Sequence, residues 1–481
     1  MRFLLPAALL SLLLPFCLVA QSSFQEAYGE SGAQNREQGY GVITKGNNYL
    51  LFGSSNSFGE EFSMYLLEVD AHGTEVESQT FNLGNDTNEG FAICEGNDGG
   101  YVLLGRTTNV DGDPLLRALK IDADGNEEWS KLYTEAQAVP GWNIIPNGND
   151  GYIMTGTALN NQLLVCKLDN EGSVVWSKSH GVFSRGYNSI LLEDGNIASA
   201  GVTAIPDASG ALTHFELYLL KMDQDGEIIW ESSEQFEEAF YSRAFDLTED
   251  EDGELVLIGS RSDEDNDNYR MVLSRYSATG MLLDHRVVDK MGNNNANYVV
   301  ESTKDGGYIF IGNISPDGTS ETRQGYLLKT NHDFETVWEK MYGADMGINT
   351  LLFSGMMTED GGFAVLGGIN FEGSNDFYFI KTDADGNVDA STGLQFVEDS
   401  GMTLIPNPAA TQVSVEFENE MNGVVQINLL DVNGRLVKSI EDYKRISSFR
   451  RDLDVSDVSP GLYLVSVADG KTVEIRKLLI H

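Results

Sequence analysis

Carboxylates dominate the chemistry this sequence can offer. Acidic side chains cluster between the apolar runs, including Glu60, Glu61, Asp111, Asp113, Asp263, Asp265, Asp267 and Glu372. Two such groups facing each other across a sugar would supply the acid and the base or nucleophile of a glycosidase. Spacing along the chain pairs no two of them, and solvated loop charges are the plainer reading. A second pattern, Asp122-x-Asp124-Gly125, Asp223-x-Asp225-Gly226 and Asp383-x-Asp385-Gly386, opens like a calcium loop. It lacks the continuing ligands and the bidentate Glu at the twelfth place. Hairpin turns whose Asp side chains bond the local backbone account for it more simply, with calcium as the alternative. His72, His180, His214, His285, His332 and His481 show no metal-ligand spacing. No nucleophile elbow, P-loop or dinucleotide fingerprint occurs. No catalytic, cofactor or metal residue is therefore assigned, and no cofactor is expected.

The elements that must position any site come from an internal repeat. A turn, a short apolar strand and a glycine recur as Asn48–Gly53, Gly100–Gly105, Gly151–Gly156, Asn196–Gly201, Glu254–Gly259, Gly307–Gly312 and Gly362–Gly367. The final glycines lie 52, 51, 45, 58, 53 and 55 residues apart. A period of this length built only of short strands predicts the blades of a β-propeller, seven of them. Each unit reads as four strands. Asp98-Gly99-Gly100, Asp305-Gly306-Gly307 and Asp360-Gly361-Gly362 supply the tight turn between the first two. Trp129, Trp176, Trp230 and Trp338 share one position on the fourth strand and are expected to pack blades rather than hold a cofactor.

The seventh unit ends at Asp383–Asn387 without a Trp strand. Phe24 to Tyr28-Gly29 copies the spacing of Trp338 to Tyr342-Gly343. Residues 22–29 are thus expected to complete blade seven and abolish its open edge. The short turns crowd one face. The divergent connections, such as Thr107 to Pro114 and Val202 to Glu216, lie on the other, where a ligand is expected near the axis.

Of 481 residues, 31 are basic and 74 acidic, a formal charge of −43 that disfavours nucleic-acid or anionic-membrane partners. Residues 401–481 carry 9 basic and 11 acidic side chains, which leaves −41 on residues 1–400. Met1-Arg2, an apolar run and Leu18-Val19-Ala20 before Gln21 have the layout of a secretory signal, residues 1–20, cleaved between Ala20 and Gln21. Cys94 and Cys166 sit in apolar strands and are read as buried free thiols rather than a disulfide. No membrane span is expected.

After Asn387 the repeat stops. The propeller is bounded at 21–392, with a linker over 393–402. Alternating strands and turns over 403–481 predict a small antiparallel β-sandwich. Here Ile405-Pro406-Asn407-Pro408-Ala409, then Leu430-Asp431-Val432-Asn433-Gly434, then Ser459-Pro460-Gly461-Leu462-Tyr463 and Arg476-Lys477-Leu478 occur in order. These motifs resemble the C-terminal sorting domain, type A-like, of type IX secretion cargo. The resemblance implies passage through the outer membrane by the type IX translocon of Bacteroidota-type bacteria. It also implies removal of the domain by a surface sortase-like protease and a secreted or outer-membrane-surface location. Pro406 and Pro408 are expected to stiffen the domain entry, and Gly434 and Gly461 to serve turns. The propeller is expected to act as a binding or adhesion module for a glycan or protein, the alternative being an extracellular carbohydrate-active enzyme using loop carboxylates.

Overall fold

The computed structural model describes residues 23–29, 36–58, 61–84, 87–108, 113–134, 143–148, 150–237, 239–264, 269–288, 299–315, 323–343, 349–371, 374–388, 402–418, 423–430, 436–444, 448–456, 458–468 and 473–480. The predicted signal with its Ala20–Gln21 junction, the linker before Met402, Glu60, Asp111, Asp265, Asp267, Glu372, Asp431 and Gly434 lie outside them. The chain divides into two compact units, one holding Ala27–Gly386 and the other Asn387–His481 together with Ser23–Glu26. Among the described residues every regular element is a strand.

In the first unit small antiparallel sheets follow one another along the chain. The first holds Glu37–Lys45, Asn48–Ser55, Ser63–Val69 and Glu75–Phe81; the second Asn88–Glu95, Tyr101–Thr108, Pro114–Ile121 and Glu127–Tyr133. The third holds Asn143–Pro146, Tyr152–Thr157, Leu163–Leu168 and Val174–His180. The fourth, Arg185–Leu191, Ile197–Pro206, Leu212–Met222 and Ile228–Glu234, joins the fifth through a single parallel bridge from Phe215 to Tyr241. The fifth holds Tyr241–Glu249, Leu255–Ser262, Arg270–Tyr276 and Leu282–Val288; the sixth Val299–Ser302, Tyr308–Ile314, Gln324–Thr330 and Thr336–Tyr342. The last runs Asn349–Met357, Phe363–Phe371, Ser374–Lys381, with Phe24–Tyr28 as its outer strand.

Burial explains the order. Second and third strands are buried on both faces and read as near-continuous apolar runs, Ser63–Val69 throughout its length. Fourth strands alternate between exposed and half-buried residues, as in Val174–His180. The sheets therefore stack face to face, and each core cluster is shared by consecutive sheets. Phe52 and Met64 of the first pack with Leu103 of the second; Val102 and Cys94 of the second pack with Met154 and Cys166 of the third. Cys94 and Cys166 are buried thiols with no disulfide between them, and burial pushes the Cys94 thiol well above its ordinary range. First and last sheets also meet: Val42 N–H donates to Ser354 Oγ at 3.2 Å, and the Tyr49 and Phe379 ring centroids are 5.1 Å apart. The unit is propeller-like.

Side chains at repeated positions fasten neighbouring sheets. Trp129, Trp176 and Trp230 donate their indole N–H to Asn170, Gln224 and Ala278 carbonyls in the turn of the next sheet, at 3.0, 2.9 and 3.0 Å. Four residues further on, Tyr133 donates to Gly172 O at 2.8 Å and Tyr342 to Gly386 O at 2.6 Å. Tyr28 makes the same bond to Gly73 O of the first sheet, at 2.7 Å.

The second unit has two antiparallel sheets. One is ordered Thr403–Ile405, Gln412–Glu418, Ser448–Asp454; the other Leu436–Lys444, Gly423–Leu430, Gly461–Ala468, Val473–Ile480. Val413, Val415, Phe417, Ile427, Val465 and Leu478 are buried in one shared core. The Pro406-Asn407-Pro408 segment, with cis peptide bonds before both prolines, is tied to the last strand. Asn407 Nδ2 donates to Lys477 O at 2.6 Å and its Oδ1 accepts from Leu479 N at 2.9 Å. A single amide side chain thus copies a ladder pair where proline has no N–H to give. Tyr463 donates to Ser459 O at 2.8 Å, bracing the turn that holds Pro460 and Gly461.

Candidate functional site

The repeat glycines create the site. Gly53, Gly105, Gly201, Gly259 and Gly367 each face the first strand of their sheet so closely that a Cβ would lie 1.8–2.1 Å from a carbonyl oxygen there. Opposite them the first strand carries an extra, unpaired residue, a β-bulge. The register skips Tyr40 between Gly39 and Gly41, and Phe91 between Gly90 and Ala92. It likewise skips Tyr187, Phe245 and Phe353. A bulge re-aims a side chain that regular pleating would send into the core. In all five strands the re-aimed residue is aromatic, and all five aromatics line one cavity of about 620 Å³ walled by the first strands of the sheets.

The rings contact one another around the wall: Tyr40 and Phe353 centroids are 5.1 Å apart, as are those of Tyr187 and Phe245. Between them stand polar groups. Asp246 accepts hydrogen bonds from Val300 N and Leu247 N, both at 2.8 Å, and from Asn188 Nδ2. Burial pushes its carboxyl up to about 7. Glu301, in the same wall, is raised to about 7 by burial and then by the Asp246 charge. Asn143 and Asn188 each turn a buried amide oxygen toward no hydrogen-bond partner among the described residues. Among the described residues no basic side chain lines this cavity.

Apolar faces, two acids and two amide acceptors in one concave site suit a ligand with flat C–H surfaces and a rim of hydroxyl donors. The sequence placed candidate carboxylates on loops instead. Glu61 and Asp113 are exposed and Asp263 is half-buried; Glu61 accepts from the Thr87 hydroxyl at 2.6 Å, and none of the three lines the cavity. Asp246 and Glu301 lie inside strands and were missed. A signal for the aromatics is present: Tyr40, Phe91, Trp142, Tyr187, Phe245, Tyr298 and Phe353 each stand 13 or 14 residues before a repeat glycine. Trp142 and Tyr298 lie outside the described residues.

The other acidic patterns do structural work. Asp122 Oδ1 accepts from Asp124 N at 2.9 Å and Asn126 N at 2.8 Å, and Asp223 does the same for Asp225 and Glu227. Asp98, Asp194, Asp305 and Asp360 pair with lysines from the third strand of their own sheets, Lys120, Lys221, Lys329 and Lys381, at 2.5–2.9 Å. The Lys120 ammonium holds the Asp98 carboxyl below its usual range. Asp250, Glu254 and His332 bring ligand atoms within 4.8 Å of one another. A cation is already among them: Arg275 Nε lies 3.2 Å from Glu254 Oε2, and its Nη1 donates to His332 O at 2.8 Å.

The family model described as the secretion system C-terminal sorting domain matches residues 403–481. This segment is a sorting domain, which marks the chain as type IX cargo for export to the cell surface or medium. No helix among the described residues is long and apolar enough to cross a membrane. No curated protein matches the chain. Among solved structures, the β-propeller domain of the Trilobed protease from Pyrococcus furiosus is similar at 13% identity, covering 75% of this chain and 99% of its own, with a TM-score of 0.43. A polysaccharide lyase of family PL25, an ulvan lyase, is similar at 10% identity over 73% of this chain and 95% of its own, TM-score 0.49. A protein of unknown function from Bacteroides caccae gives 10% identity over 62% and 98%, TM-score 0.33.

Proposed function

We propose that the first unit is a seven-bladed β-propeller, closed by Phe24–Tyr28 as the outer strand of blade seven, and that it binds a saccharide in its axial cavity. The second unit, proposed as a β-sandwich, delivers it through the type IX translocon and is processed by a surface sortase-like protease. The protein thus acts as a surface-displayed or released binding and adhesion module. The observation that carries this reading is the cavity wall, where a bulge in one inner strand after another points an aromatic ring at the same space. A core-packing aromatic needs no bulge, and the glycine opposite each one is the cost of making it. Replacing Phe245 and Tyr187 with Ala, in the folded full-length protein, is expected to weaken saccharide binding on a glycan array at least tenfold; unchanged binding would reject the site.

A second reading is favoured by one feature. Asp246 and Glu301 share the cavity, where burial raises both carboxyls to about 7 and the Asp246 charge raises Glu301 further, so that one can hold a proton as the acid beside its ionised partner. A polysaccharide-hydrolysis screen tests it: product release that Asp246→Asn and Glu301→Gln both abolish would make the module an enzyme.

A further inference from the structure

A second cavity of about 330 Å³ opens between the first and last sheets, and Phe353 stands in the wall of both cavities. Unlike the axial site, its wall is mostly polar: Glu37, Gln38, Arg323, Asn349, Asn370 and Asn375. These side chains are held in place. Glu37 is buried, 1% exposed, and Oε1 accepts from the Ser55 hydroxyl at 2.8 Å and from the Ser57 hydroxyl. Asn349 Oδ1 accepts from Arg323 N at 2.7 Å, and Asn370 Nδ2 donates to Asn375 Oδ1 at 2.7 Å. Arg323 Nε, by contrast, is buried with no hydrogen-bond partner among the described residues, an N–H donor in want of an acceptor.

Resting on the saccharide reading of the axial cavity, we infer that this notch is a second sugar subsite, so that the full site takes a neutral oligosaccharide rather than a single sugar. One ring stacks on the axial aromatics, the chain passes Phe353, and the next ring lies in the notch. There its hydroxyls receive the Arg323 donor and the amide and carboxylate acceptors. The neutral class follows from charge. Among the described residues the axial cavity presents two acids and no base, and in the notch Arg323 is balanced by Glu37. A uronate or sulfated sugar would meet like charge in the first and no net cation in the second.

The test is calorimetric titration of the full-length protein with neutral gluco-, manno- and galacto-configured monosaccharides, their di-, tri- and tetrasaccharides, and uronic-acid oligomers of equal length. The expected result is a gain of about tenfold or more in affinity from monosaccharide to disaccharide in one neutral series. Arg323→Ala and Asn375→Ala should remove that gain and leave monosaccharide affinity unchanged, while Phe245→Ala weakens both. Arg323→Lys, checked by an unchanged melting temperature, should also lose the gain, because an ammonium cannot reproduce the guanidinium geometry. Equal affinity for mono- and disaccharides, or an Arg323→Ala loss that is the same for both, would overturn the subsite while leaving the axial site standing. Tighter binding of uronic-acid oligomers would overturn the neutral class. Binding of no sugar at all would remove the axial reading and the notch with it.

Discussion

Asp246 is a strand carboxylate buried in the cavity wall. A carboxyl raised to about 7 by burial, beside Glu301 raised likewise, keeps its proton longer in the native protein than in the unfolded chain. Between the ordinary carboxylate range and about 7 the native state therefore binds more protons, and stability falls as pH rises through that window. Melting temperatures recorded across it should decline for the wild type and decline less for Asp246→Asn, which also relieves Glu301 of a like charge. A parallel decline in both proteins would show that Asp246 is not the source. The repeat glycines make a second residue-scale prediction. Gly259→Ala would place a methyl 2.1 Å from Arg243 O, so either the strands separate or the bulge at Phe245 is lost. Chemical denaturation should show a loss of about 1–3 kcal/mol, the range for enforced overpacking.

At the scale of elements, the outer strand Phe24–Tyr28 carries the proposed ring closure. Its tyrosine repeats the bond that Tyr133 and Tyr342 make to the next turn. Deleting residues 21–30 should lower the melting temperature sharply, because it exposes the edge of Ser374–Lys381 and removes the clamp on the first sheet. Tyr28→Phe should cost about 1 kcal/mol, the usual net worth of one such hydrogen bond. This strand was legible in the sequence because Phe24 to Tyr28-Gly29 repeats the spacing of Trp338 to Tyr342-Gly343. The cavity was not. An aromatic inside a strand reads as core, and only the register of two paired strands shows that Phe91 or Tyr187 is the residue left over. In the sequence Gly105 and Gly201 show only as a repeat; their purpose is to make room for that leftover residue's backbone. Asp246 is hidden for the same reason, since the pairing shift after Ala244 decides which way it points.

For the whole molecule, the net charge of −43 and its uneven placement take on a division of labour. The acidic first unit carries the site, while the nearly neutral residues 403–481 carry the export signal. A chain ending at residue 400 should remain in the periplasm of a type IX-competent host, and normal surface appearance would refute the sorting role. Asn407→Ala should weaken export less completely, because it removes two hydrogen bonds to the last strand while leaving that strand paired with Gly461–Ala468. Both units meet in the proposed role of the exported cargo, a saccharide-binding propeller. Its most direct test is titration of the full-length protein and its Tyr187→Ala/Phe245→Ala variant with neutral oligosaccharides. Saturable binding by the wild type and at least a tenfold weaker response from the variant at an unchanged fold are expected. Equal binding by the two proteins, or none by the wild type across every neutral series, would contradict that role.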